Sequence, residues 1–141
     1  LAQLKKLDKI LNLKRKNAYK ILKSIKNLTG IEMRYCENNC IQTFDSFIIL
    51  FKNKALAEKC RVNLNKRSIG TKIFPEAKTW HFAKYWSHMP ELALSHKKDL
   101  KNSFKISEKI LERCVSIPIS CKMNNRDILK ITDVIKKTDK K

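Results

Sequence analysis

Two glycines, Gly30 and Gly70, are all that a chain of 141 residues contains. A phosphate-cradling loop needs several, in patterns such as G-x-G-x-x-G or G-x-x-x-x-G-K, because the backbone must approach the anion closely. Nucleotide-binding folds built on such loops are therefore excluded. Each glycine instead follows a helical pattern and reads as punctuation after a helix end.

The helical patterns are strong at both ends of the chain. Leu4, Leu7, Leu11, Ala18, Ile21, Leu22 and Ile25 recur at helical spacing, so residues 1–28 read as one long helix stopped by Gly30. Lys54 to Lys66 places Leu56, Ala57, Cys60 and Leu64 on one face. Leu100 to Arg113 is helical through Leu100, Phe104, Ile110 and Leu111. The last helix is capped by Asn124, carries Asp127 in its first turn and turns Ile128, Ile131, Val134 and Ile135 inward.

Strand patterns lie between these helices. Ile31 to Tyr35 reads as a short strand and Cys36 to Asn39 as a turn. Ile41 to Phe51 is the best strand, and Thr71 to Phe74 is another short one after Gly70. Val115, Ile117 and Ile119 alternate with polar residues, and Pro118 puts that strand at an edge or an end. Pro75 to Pro90 has no period. It reads as an irregular loop that gathers Trp80, His81, Phe82, Tyr85, Trp86 and His88. The order predicts an α+β domain, a small mostly antiparallel sheet flanked by helices. A chain of this length buries roughly 68–70% of its unfolded surface, enough for one core.

The charge is +19, which raises polyanions as partners. Only six of the 32 basic residues are arginines, and the lysines are spread over every helix. A solvated lysine-rich surface accounts for that distribution, and nucleic-acid binding is the lesser reading. Five cysteines (Cys36, Cys40, Cys60, Cys114, Cys121) include no C-x-x-C pair, and His81, His88 and His96 form no i, i+4 pair. No metal site is expected, and the thiols read as reduced and cytosolic, several of them buried. No apolar run approaches the ~20 residues of a membrane span, and without a charged-then-apolar leader at the start no signal peptide is expected. The first residue is Leu1 rather than Met, so the chain is expected to be a piece of something longer or a processed product.

The aromatic loop is the candidate site. His81 and His88 can hold a phosphate or hydroxyl or act as acid and base, and Trp80 and Phe82 can stack on a flat ring or sugar. Lys72 can meet an anionic group. The bland alternative is that these aromatics anchor the loop to its own domain or to a partner subunit. No nucleophilic set emerges, and no catalytic residue is assigned.

Three stretches, taken in order, resemble the DegT/DnrJ/StrS family of sugar aminotransferases. They are Leu1-Ala2-Gln3-Leu4-Lys5-Lys6-Leu7 with Arg15 and Ala18, then Ile69-Gly70-Thr71-Lys72 with Trp80-His81-Phe82-Ala83 and Trp86-Ser87-His88-Met89, and last Ser107 to Ile119 with the closing helix. The Trp80-His81-Phe82-Ala83 form is similar to the branch acting on acidic eight-carbon sugars of the lipopolysaccharide core, or to perosamine-type members. The resemblance implies the C-terminal domain of the aspartate-aminotransferase (type I) fold. Residues 1–28 would be a helix leading from a large domain upstream of Leu1, and 29–141 the small domain. It implies a pyridoxal 5'-phosphate (PLP) enzyme that moves an amino group, usually from glutamate, onto a keto- or aldehydo-sugar or nucleotide-sugar in surface-polysaccharide biosynthesis. It also implies a cytoplasmic homodimer. The family's Schiff-base lysine lies in the large domain and matches no lysine here, so this piece alone is expected to bind no cofactor and to be inactive. His81, Trp80, Phe82, Lys72 and His88 are the substrate-binding candidates that the resemblance supports. A stand-alone basic nucleic-acid-binding domain and a non-catalytic remnant are the rival readings.

Overall fold

A computed structural model of the chain describes residues 4–71, 82–95, 99–100 and 102–140. Helix α1 (Leu7–Ile25) follows a single 3-10 turn, Leu4–Lys6. It buries Asn17, Ala18, Ile21 and Ile25, whereas Leu7 and Leu13 in its first half, and Leu4 in the turn before it, are exposed. Asn17 is the polar member of the buried set. Its side-chain amide donates to the Ser120 carbonyl at 3.0 Å and the Met123 carbonyl at 3.4 Å, which ties α1 to the turn before the last helix. The helix ends at Ile25, short of the expected Leu28. Gly30 is not its left-handed stop, because neither glycine has a positive φ. Gly30 serves close approach instead: a Cβ there would run into the Asp139 carboxylate.

Strands β1 (Ile31–Met33), β2 (Ser46–Phe51) and β3 (Cys114–Pro118) form an antiparallel sheet in the order β1-β2-β3. Met33 faces Ile49, and Ile49 faces Val115, so those side chains share one face. Phe47, Ile49, Phe51, Val115 and Ile117 turn that face into the core. The α+β antiparallel architecture is the one the sequence predicts. The predicted strand from Ile41 is shortened to begin at Ser46. Phe44 adopts φ 51°, a left-handed conformation that breaks extension, and its ring packs edge-on against Tyr19 at 5.5 Å. β1 likewise stops at Met33, not Tyr35.

Helix α2 (Lys54–Lys66) is as read from the sequence, with Ala57, Cys60 and Leu64 buried. Asn53 caps it by accepting from the Leu56 N–H at 3.0 Å. Its C-terminus is a Schellman motif: Ser68 N–H donates to Asn65 O at 2.9 Å and Ile69 N–H to Leu64 O at 3.0 Å. The left-handed residue of that motif is Ser68, at φ 61°, not Gly70. The predicted strand at Thr71–Phe74 falls mostly on residues 72–74, outside the described residues.

Helix α3 (Pro90–Ser95) is not among the elements the sequence pattern predicts, although Pro90 is suited to a first helical position. Helix α4 (Lys105–Glu112) starts later than the expected Leu100, because Phe104 is left-handed at φ 64°. Helix α5 (Asn125–Asp139) carries the expected cap at Asn124, completed by Asp127: each accepts from the other's backbone N–H, at 3.0 and 3.1 Å. α5 packs against both α1 and α2, and α2 packs on β2 and β3. The segment between β2 and β3 is closed at its mouth. Phe51 N–H donates to Arg113 O at 2.8 Å, and the Arg113 guanidinium reaches Glu32 at 3.0 Å.

Candidate functional site

The aromatic loop is described from Phe82 onward. Tyr85, Trp86 and Met89 donate their N–H groups to Phe82, Ala83 and Trp86, each at 3.0 Å. These i→i+3 bonds, with a 3-10 turn at Ala83–Tyr85, explain the missing helical period. Two contacts fasten the loop to α4. The Phe82 ring is buried, meeting Phe104 edge-on at 6.0 Å and Tyr85 at 6.3 Å. The Lys84 ammonium donates to both Glu108 oxygens, at 2.8 and 3.1 Å. The hydrogen bond to Glu108 pushes the Lys84 pKa above its ordinary value, against a smaller opposing effect of burial. Lys84 Nζ also lies 5.9 Å from the Tyr85 ring centroid.

Of the five site candidates, Phe82 and His88 are described. Phe82 points into its own domain, and His88 is exposed. Among the described residues no hydrogen bond or ring contact joins the two. Lys72, Trp80 and His81 lie outside the described residues.

Sequence reasoning missed a cavity of about 540 Å³ between β1 and β2, lined in part by Arg34, Cys36, Glu37, Cys40, Gln42 and Asp45. Arg15 holds this loop by donating to Gln42 O at 3.0 Å, and Lys14 by pairing with Asp45 at 3.0 Å. The available signal was the polar run from Cys36 to Asn39, which reads correctly as a turn. The Cys40 N–H donates to Glu37 O at 3.0 Å across that turn. The core thiols are of another kind. Cys60 is fully buried and burial pushes its pKa up to about 12, and Cys114 is raised by burial too. Among the described residues no group of three or more His, Cys, Asp or Glu side chains could hold a metal ion.

A sequence profile of the DegT/DnrJ/EryC1/StrS aminotransferase family matches residues 1–136. The chain belongs to that family. Among solved structures, this DegT-family chain is similar to Streptomyces DesV ("S. venezuelae DesV in complex with ketimine intermediate"), at TM-score 0.76 and 17% identity over 99% of the chain and 34% of DesV. It is similar to Helicobacter pylori PseC, an aminotransferase involved in the biosynthesis of pseudoaminic acid, at TM-score 0.73 and 16% identity over 99% of the chain and 35% of PseC. A putative sugar aminotransferase from Streptococcus pneumoniae, in its PMP form, matches at TM-score 0.65 and 12% identity over 99% of the chain and 33% of that protein. At these identities the likeness establishes the fold. The chain spans about a third of the length of these proteins. No curated protein matches it at the significance required.

DegT-family aminotransferases are in general PLP-dependent, and that cofactor needs a shielded lysine, a carboxylate for the pyridine nitrogen and a phosphate cup. The lining of the cavity at the loop between β1 and β2 contains no lysine. Lys52, Lys54 and Lys109, which line a second groove, are all exposed. Lys84 is held in its charged form by Glu108, the reverse of what a Schiff-base lysine needs. The described residues of this DegT-family chain do not fit the cofactor. Nor is any described helix long and apolar enough to cross a membrane.

Proposed function

We propose that residues 29–141 are the C-terminal small domain of a PLP-dependent sugar aminotransferase, joined through the segment 1–28, which carries α1, to a large domain upstream. The family match over residues 1–136 carries this reading. In it, the large domain holds the cofactor, which supplies the electron sink for moving an amino group. This chain supplies the sugar-facing loop. Glutamate is the proposed donor. A keto- or aldehydo-sugar, free or nucleotide-linked, is the acceptor, in cytoplasmic synthesis of lipopolysaccharide or another surface polysaccharide. The active form is a homodimer.

The anchoring of the loop supports a division of labour. Phe82 and Lys84 fasten the loop to α4, and that leaves the neighbouring His81 and Trp80 to meet the sugar. His88 and Lys72 add polar and cationic contacts suited to an acidic or phosphorylated acceptor. Phe82 shapes the pocket from behind.

The test uses the full-length protein and follows the two half-reactions separately. His81→Ala is expected to raise the sugar KM about tenfold, the loss of one hydrogen bond to a charged group worth about 1.5 kcal/mol. The glutamate half-reaction, read from cofactor absorbance, is expected to keep its rate. Equal impairment of both halves, or of neither, would refute His81 as a sugar contact.

A further inference from the structure

Cys36 and Cys40 stand apart from the other thiols. Cys40 is the last residue of the β-turn that its N–H closes by donating to Glu37 O at 3.0 Å, Cys36 directly precedes that turn, and both line the cavity at the loop between β1 and β2. Cys36 Sγ lies 3.9 Å from the Cys40 carbonyl oxygen. Cys40 Sγ lies 3.8 Å from Asn39 Oδ1. Cys40 is exposed and Cys36 half-buried, whereas Cys60 and Cys114 are buried in the domain. A disulfide needs Cα atoms about 4.4–6.8 Å apart, and the turn holds Glu37, the neighbour of Cys36, within about 7 Å of Cys40. Cys36 Sγ already sits at the Cys40 carbonyl, so an adjustment of this polar loop, outside the three strands, is what joining the sulfurs requires.

We propose that Cys36 and Cys40 form a redox-active dithiol that a small anionic disulfide, of the glutathione type, converts to an intramolecular disulfide. The difference in exposure sets the order. Cys40 loses its proton, and its thiolate attacks one sulfur of the small disulfide. The S–S bond breaks, a mixed disulfide forms and one small thiolate leaves. Cys36, as thiolate, then attacks the Cys40 sulfur and expels the second small thiolate. The two protein thiols are oxidised by two electrons, the small disulfide is reduced to two thiols, and the two protons end on those thiols. The chain's charge of +19 favours encounter with an anionic oxidant. Closure ties the loop to itself at the cavity wall, so the oxidised form should present that cavity in a more rigid state.

The experiment treats the full chain with oxidised glutathione and reads intact mass and the peptide map after alkylation. The expected product has lost two hydrogens, with Cys36 and Cys40 linked and Cys60 and Cys114 still free. Cys36→Ser is expected to accumulate a stable glutathione adduct on Cys40, because the resolving thiol is gone. Cys121 is half-buried and has no cysteine at this spacing, and it serves as the internal reference. Glutathione adducts persisting on Cys36 or Cys40 of the unsubstituted chain, or a disulfide to Cys121 in place of the Cys36–Cys40 link, would overturn the proposal. Both substitutions the test can use, Cys36→Ser and Cys40→Ser, lie on the loop outside the core, and far-ultraviolet circular dichroism checks that each variant is folded.

Discussion

Whether Phe82 spends its ring on its own domain or on a ligand can be measured as a coupling energy. Phe82 is 8% exposed and touches Phe104 edge-on at 6.0 Å. Truncating a buried phenylalanine costs about 3–5 kcal/mol, and Phe82→Ala belongs near the lower figure because a loop relaxes more readily than a sheet. The part owed to the ring pair itself is about 0.5–1.5 kcal/mol. Phe104→Ala removes the same pair from the other side. It leaves the left-handed backbone at φ 64° equally disfavoured, so the cycle is not confounded by released strain. Single and double variants would be unfolded in urea, with Trp86 on the same loop as a fluorescence reporter and amide exchange at Tyr85 and Trp86 reporting local opening. The double variant is expected to cost less than the sum of the singles by about 1 kcal/mol. Additivity within about 0.3–0.5 kcal/mol would refute the anchor.

Ser68→Gly should stabilise the chain by about 1 kcal/mol in urea unfolding, since Ser68 is an exposed residue at φ 61° in the position glycine normally holds. No gain would mean the Schellman geometry is wrong. Gly30→Ala should destabilise by about 1–3 kcal/mol through collision with Asp139, and Asp139→Ala should rescue it in the double variant; thermal melts of the four proteins decide. Asp139 Oδ1 is buried without a hydrogen-bond partner among the described residues, so its removal alone should cost little. Cys60 has a folded pKa raised by burial to about 12, so its contribution to stability is full below the unfolded thiol value and declines as pH rises from there. Cys60→Val should remove about 2 kcal/mol of the stability loss near pH 10; equal pH profiles for the two proteins would contradict the burial argument.

The parts legible in the sequence are those fixed by near neighbours. The α2 face and the Asn124 cap depend on residues three and four positions apart, so a pattern reads them correctly. Other boundaries are set from far along the chain. β2 starts late because Phe44 bends towards Tyr19, and α4 starts late because Phe104 bends beside Phe82. The glycines misled in a related way: composition marks them as turn formers, yet the left-handed backbone falls on Phe44, Ser68 and Phe104. As to the site, the sequence singles out the aromatic loop, but not that Phe82 faces inward, which depends on where Phe104 is brought. The cavity at Cys36 and Cys40 was hidden because a polar turn next to a strand carries no periodic signal.

The sheet pairs Leu50 with Cys114, so α2, the aromatic loop, α3 and α4 all belong to one excursion pinned at its mouth by Phe51, Arg113 and Glu32. The entropy of closing such an excursion grows only with the logarithm of its length, about 0.6 kcal/mol for each doubling. Residues added or removed around the aromatic loop would therefore weigh little on the stability of the domain. The part of the chain proposed to choose the sugar is also the part whose length can drift, so new acceptors can be explored by insertion and deletion while the three strands stay in register.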